Sequence, residues 1–265
     1  MDYISLTKEN SFHKTPPKQR KKSFFNSLMF YLKIGNIIRR SGNLAKKGKY
    51  DGAAWAQSSF DIMNAGIYHG ADIEVTGIEN IRLEEPVIYI SNHMSTFETF
   101  IMPTIIYPNN KVCFIMKKEL VEMPLFGPVG GSRHPIIVGR KNPREDLMEV
   151  FKQSKDRIES KRSIIVFPQK SRSDKLDEKA FNTIGVKIAK KYNVKIVPVA
   201  LTTDFWANGK IIKDFGLLDP DKKVRLAFGK PFEPSGDGAA DNQKIIEFIK
   251  TKFIEWGRED KIKKY

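Results

Sequence analysis

The chain of 265 residues has a single cysteine, Cys113, and only four histidines. One cysteine excludes an intramolecular disulfide and any zinc site built on several thiolates, and four histidines leave little for a His-rich metal centre. No metal is expected, and a reducing compartment is the default. Cys113 lies in the apolar run Val112-Cys113-Phe114-Ile115-Met116, the setting of a buried, inert thiol. No apolar run approaches the ~20 residues that span a bilayer. The G-x-S-x-G elbow, the phosphate-cradling G-x-x-x-x-G-K-[ST] loop and H-E-x-x-H are all absent. Acidic residues are also scarce: 31 Asp+Glu face 46 Lys+Arg, a net charge of +15. That excess suits nucleic acid, an anionic membrane surface or acidic substrates.

The charge is unevenly spread. Residues 1–50 carry twelve basic side chains against two acidic ones, a net +10, which leaves +5 for the rest. Residues 1–22 are polar, with Pro16-Pro17 and the run Lys18-Gln19-Arg20-Lys21-Lys22, and read as a flexible basic tail. A secretory signal is not expected, because Asn26 and Lys33 interrupt the next apolar stretch and no small-residue cleavage site closes it. As a helix, residues 24–40 put Asn26, Lys33 and Arg40 on a narrow polar stripe. Phe24, Phe25, Leu28, Tyr31, Leu32 and Ile38 fall opposite. Such a helix can lie in a membrane interface or pack on its own domain. A second helix is predicted over 51–68 from the spacing of Ala56, Phe60, Met63 and Ile67.

From residue 71 onward, strand and helix patterns alternate. Residues 72–77 alternate like a strand, and 87–91, 112–116, 136–138, 164–167, 194–201 and 224–228 are short runs rich in Val and Ile. Amphipathic helices are predicted after Asn142-Pro143, over 178–192 and over 242–256. Gly127–Gly131 reads as a flexible turn. The expected fold is α/β, a mixed, largely parallel sheet covered by helices. It divides as a tail (1–22), an N-terminal two-helix membrane-docking segment (23–70) and an α/β domain (71–265).

Three of these strands end in chemistry. Ile88-Tyr89-Ile90 runs into Ser91-Asn92-His93, and strand C-terminal ends are where open α/β sheets bind ligands. His93 is a candidate base. Glu98, five residues on, cannot share a helical face with it; the two pair only if His93 lies in the loop and Glu98 in the first helical turn. Ser95-Thr96-Phe97-Glu98 also reads as a capping box, so Glu98 has two readings. A second strand ends in Lys170, Ser171 and Arg172, and a third in Arg140; cations at strand ends make an anion site.

Taken in order, these segments resemble the glycerolipid acyltransferase superfamily, which includes the PlsC-type 1-acylglycerol-3-phosphate acyltransferases. The family's N-H-x-x-x-x-D is matched by Asn92-His93-Met94-Ser95-Thr96-Phe97-Glu98, and K-x-x-L…P-x-x-G by Lys117-Lys118-Glu119-Leu120 with Pro124-Leu125-Phe126-Gly127. An apolar strand ending in arginine is matched by 136–140, F-P-E-G-T-R-S by Phe167-Pro168-Gln169-Lys170-Ser171-Arg172-Ser173, and V-P-V-A by Val197-Pro198-Val199-Ala200. The chain departs from the pattern at Glu98 (usually Asp), Gln169 (usually Glu), Lys170 (usually Gly) and Gly139 (often acidic).

The resemblance implies an O-acyltransferase of phospholipid biosynthesis, an H-x₄-E variant of the H-x₄-D motif. It implies no cofactor, with acyl-CoA or acyl carrier protein as co-substrate and a lysophospholipid such as 1-acylglycerol 3-phosphate as acceptor. His93 and Glu98 are then the catalytic pair. Arg140, Lys170, Ser171 and Arg172 hold the acceptor, with Lys117 or a backbone N–H near Gly130–Gly131 at the oxyanion. Ser91 and Ser95 read as cap and turn residues, and His134 as structural or a pocket wall. The expected location is peripheral or monotopic on the cytoplasmic face of the cell membrane, on an anionic surface. The alternatives are a catalytically impaired lipid-binding relative, acylation of another lysolipid or glycerol 3-phosphate, and a basic nucleic-acid-binding protein.

Overall fold

The structure, a computed structural model, describes residues 3–139 and 142–265. Short runs of β-branched residues form one eight-stranded sheet. The strands are β1 (Ser11–Lys14), β2 (Ile73–Thr76), β3 (Ile88–Ser91), β4 (Lys111–Lys117), β5 (Ile136–Val138), β6 (Arg162–Val166), β7 (Ile196–Thr202) and β8 (Val224–Phe228), in the order β1-β2-β8-β7-β3-β6-β4-β5. The five strands β7-β3-β6-β4-β5 are mutually parallel. β8 runs antiparallel to β7, and β1 antiparallel to β2. β3 and β7 are buried along their whole length, as parallel strands covered on both faces must be.

The helices are α1 (Phe24–Lys46), α2 (Gly52–Tyr68), α3 (Phe97–Ile106), α4 (Lys118–Glu122), α5 (Gly127–Gly131), α6 (Pro143–Glu159), α7 (Ile184–Tyr192) and α8 (Gly238–Glu255). The crossover β3–α3–β4 moves one way along the sheet, and β5–α6–β6 and β6–α7–β7 move the other. Right-handed crossovers then put α3 on one face and α6 and α7 on the opposite one. α8 joins α7, while α2 packs on α3 and α1 on α2. Gly66 of α2 meets α3 so closely that an added Cβ would stand 2.5 Å from the Phe97 ring.

Two expectations need correction. Residues 3–14 are not a flexible tail. Phe12 and its neighbours pair with β2, Leu6 is buried, and Arg82 donates to the carbonyls of Thr7, Lys8 and Glu9. Gly127–Gly131 is a helical turn beneath α1, not a flexible loop. α1 leaves much of its predicted apolar face uncovered, one of the two placements its sequence allows. Phe30, Ile34 and Ile37 face the core, whereas Phe24, Phe25 and Leu32 are 72%, 71% and 60% exposed. The two N-terminal helices share the core of the α/β domain, since Phe30, Ile34, Phe60 and Met63 belong to the same cluster as the sheet.

Candidate active site

β3 and β6 are adjacent and parallel, and the helices that follow them leave on opposite faces. That divergence opens a crevice at their C-terminal ends, the topological switch point where open α/β sheets take ligands. The loops after both strands enter it, one with His93 and the other with Gln169 and Arg172.

His93 lies in the loop and Glu98 is the second residue of α3. His93 Nδ1 is 2.9 Å from Glu98 Oε1. The same carboxylate accepts the backbone N–H of Met94 (2.7 Å) and of Ser95 (2.8 Å), and the Thr203 hydroxyl at 2.5 Å. Ser95 Oγ in turn accepts the Phe97 N–H at 3.0 Å. The helix N-cap is Thr96, one residue past the Ser95 of the predicted capping box, yet Glu98 still accepts the Ser95 N–H, and the same oxygen, Oε1, meets the His93 ring.

Burial alone would raise the Glu98 carboxyl; the His93 contact and the Thr203 and backbone hydrogen bonds outweigh it and hold the group below the usual carboxylate range. An ionised carboxylate only accepts, so Nδ1 carries the ring proton and neutral His93 offers the Nε2 lone pair outward. The ring stacks on Phe167, with centroids 4.2 Å apart and planes at 15°.

The loop backbone is pinned as firmly. The His93 N–H donates to Gln169 Oε1 at 2.6 Å, and the His93 carbonyl accepts from Ser173 N at 2.9 Å. The Asn92 amide bridges both backbone groups of Leu201 in β7, at 2.9 and 3.0 Å. Gln169 thus supplies the carbonyl oxygen that a glutamate would supply, without its charge.

The expected cations divide. Arg172 comes to the rim of the crevice, where Nη1 contacts Thr96 Oγ1 and lies 2.5 Å from Asp214 Oδ1. Lys170 and Ser171 are exposed on the same loop. Lys117 ends β4, exposed, two strands from β3; at about 4.8 Å per strand this is roughly 10 Å away. Arg140 lies outside the described residues. His134 precedes β5 at the opposite edge of the sheet. Burial pushes the Cys113 thiol up to about 12, which makes it a poor nucleophile. Among the described residues no cluster of His, Cys, Asp and Glu could hold a metal ion.

Sequence reasoning missed Thr203, Gln169 as an acceptor, and Asp214. Thr203 follows directly on β7, a strand end like those singled out, and the same criterion would have found it.

The family model "Acyltransferase" matches residues 72–202. The chain is 29% identical over 201 residues to a 1-acyl-sn-glycerol-3-phosphate acyltransferase of Pseudomonas aeruginosa, covering 74% of each protein. It is 27% identical over 169 residues to the protein of the same name from Helicobacter pylori, covering 63% of this chain and 68% of that one. The crystal structure of the 1-acyl-sn-glycerophosphate (LPA) acyltransferase PlsC from Thermotoga maritima superimposes with a TM-score of 0.66. At 22% identity it covers 88% of this chain and 95% of that one, a likeness of fold.

Proposed function

The chain belongs to the acyltransferase family, and on that premise we propose that it is a 1-acylglycerol-3-phosphate O-acyltransferase of phospholipid biosynthesis. It takes a fatty acyl group from an acyl-CoA or acyl carrier protein thioester and gives it to the free hydroxyl of the lysolipid. The observation that carries this reading is the His93–Glu98 pair at 2.9 Å in the β3/β6 crevice.

His93 Nε2 accepts the hydroxyl proton as the oxygen attacks the thioester carbonyl. The C–O bond forms, the C–S bond breaks, and the imidazolium returns the proton to the leaving thiolate. Glu98 holds the tautomer and stabilises the transient imidazolium. Arg172 binds the acceptor phosphate. Lys170 and Ser171 extend that site, Arg140 is assigned to the same acceptor, and Lys117 serves the acyl carbonyl. Direct transfer needs no acyl-enzyme, in keeping with the buried Cys113 thiol.

The departures from the family pattern leave this chemistry possible. Glu98 spans its extra methylene and still meets Nδ1, and Gln169 still accepts the His93 N–H. The catalytically impaired alternative therefore has no geometric support at these two positions.

The bilayer is the second partner. Among the described residues no helix is long and apolar enough to cross a membrane. The exposed Phe25 and Leu32 of α1 line an open cleft of about 740 Å³ together with Arg20, Lys21 and Lys33. Apolar side chains beside cations suit peripheral docking on an anionic leaflet, at roughly 1 kcal/mol per basic residue near the surface. The cytoplasmic face of the cell membrane follows from its anionic lipids.

The test is His93→Ala, assayed against lysophospholipids and glycerol 3-phosphate with acyl-CoA and acyl carrier protein as donors. Transfer should fall by about 10²–10⁴-fold or more while the fold is retained, read by circular dichroism. Near wild-type product from that variant would remove His93 as the base.

A further inference from the structure

Arg172, the residue assigned to the acceptor phosphate, is not waiting for an anion: it already holds one. Asp214 Oδ1 lies 2.5 Å from its Nη1 and accepts the Thr96 hydroxyl at 2.9 Å. A guanidinium, a hydroxyl and the N-terminus of the ten-residue α3 meet there, the donor set that recognises phosphate. A carboxylate of the chain itself fills that place.

Asp214 comes from the segment 207–217 between β7 and β8, which has an unusual surface. Ile211 is 98% exposed, Phe215 62% and Ile212 55%, with Lys210 and Lys213 among them. The segment is held from below: Trp206 Nε1 donates to the Asp214 carbonyl at 3.0 Å, and Tyr31 of α1 donates to the Gly216 carbonyl. The Tyr31 and Phe215 rings meet at 5.2 Å. Tyr31 neighbours Leu28 on the helix surface, three residues away, so the exposed tip continues the apolar rim of α1. Apolar side chains interleaved with lysines match an anionic bilayer.

We propose that segment 207–217 is a second bilayer-contact element, and that its Asp214 stands in the acceptor-phosphate position until the lipid surface and the acceptor displace it. The inference rests on the assignment of Arg172 to the phosphate. The ion pair keeps Arg172 oriented and neutralised when no lipid is present. Seating Ile211, Ile212 and Phe215 among the lipids draws the segment outward. The acceptor phosphate then takes over the Arg172 and Thr96 donors. Asp214 sets affinity for the acceptor and leaves the proton transfer at His93 untouched.

The experiment compares full-length wild type, Asp214→Asn, Ile211→Glu with Ile212→Glu, and Arg172→Ala. Binding is measured on vesicles of phosphatidylcholine and phosphatidylglycerol in equal parts, and transfer with vesicle-borne and with short-chain, monomeric acceptor. Asp214→Asn should lower KM for the monomeric acceptor about 3- to 10-fold with a smaller change in kcat, and inorganic phosphate should inhibit it more strongly than wild type. Asp214→Ala should behave alike. An unchanged or raised KM in both variants overturns the stand-in.

The double glutamate variant should lose about tenfold or more in vesicle binding while keeping its rate on monomeric acceptor. Undiminished vesicle binding overturns the contact element, as does light scattering that shows the tip joining two copies of the chain. Arg172→Ala separates the two readings. If it leaves acceptor KM unchanged, the phosphate assignment itself fails. If it raises KM while Asp214→Asn does not lower it, only the present inference fails.

Discussion

Glu98 and Phe25 are both unusual for their residue types, in opposite senses. Glu98 is a fully buried carboxylate whose oxygens are met by His93, Met94, Ser95 and Thr203. Phe25 is a large apolar side chain left 71% exposed. The first belongs to the floor of the crevice, where burial of a charge is offset by donors from α3, its preceding loop and the residue after β7. The second belongs to a rim of α1 where apolar surface is left uncovered by the protein. The difference fits the proposed function: proton transfer tolerates little misplacement, whereas a fluid surface asks for no fixed geometry.

The sharpest way to break the floor is Glu98→Ala. Hydrogen bonds to a charged acceptor contribute about 1.5–3 kcal/mol each, and the deletion orphans several buried donors at once. Loss of transfer should reach about 10²-fold or more, together with a destabilisation of about 3–5 kcal/mol, read from activity and urea denaturation. Glu98→Asp, the usual family residue, should recover part of both losses.

The same carboxylate sets an acid limit. Its folded value lies below the unfolded one of about 4.3, so it adds stability above that pH. As pH falls from about 4.3 through the lower folded value, that contribution is lost. Glu98→Gln should therefore flatten the acid side of the stability curve relative to wild type between these values. An equally steep acid loss in the variant would assign it to other carboxylates.

The rim is tested by charge on its apolar positions. Deleting residues 1–50 would remove β1 and the buried Phe30, Ile34 and Ile37, so it would measure unfolding. Phe25→Glu with Leu32→Glu spares the core. Each side chain contributes roughly 1.5–3 kcal/mol if it enters lipid. Vesicle affinity should fall by about 10²-fold or more in sedimentation while the melting temperature holds. Unchanged sedimentation would detach α1 from the membrane.

The middle of the sheet is legible because buried parallel strands are continuous Val/Ile runs; β5 and β8 have the bounds the sequence predicts. β1 is not legible. Ser11-Phe12-His13-Lys14 has one apolar residue in a basic stretch, and what makes it a strand is the free edge of β2. The face of α1 is ambiguous because apolar residues occupy more of its circumference than the core covers. At the site, the strand end singles out His93, but spacing leaves Glu98 two readings and only the family motif pairs them. Thr203 and Asp214 are not legible, since they reach the crevice from elements far along the chain, and Asp214 sits in a segment with no period.

Gln169→Glu is the mildest test and restores the residue usual in the family. Either side chain presents an oxygen to the His93 N–H, so that bond should survive, but the buried change gives up the Gln169 donation to the Lys175 carbonyl, at a cost of about 1–3 kcal/mol. The change adds a negative charge beside an imidazole that must be neutral to act as base. A carboxylate favours the protonated ring, so the acid limb of kcat/KM should move to higher pH. Transfer well above that limb should change little. An unmoved limb would mean that the charge at position 169 is screened from the ring, and that Gln169 contributes only its hydrogen bonds.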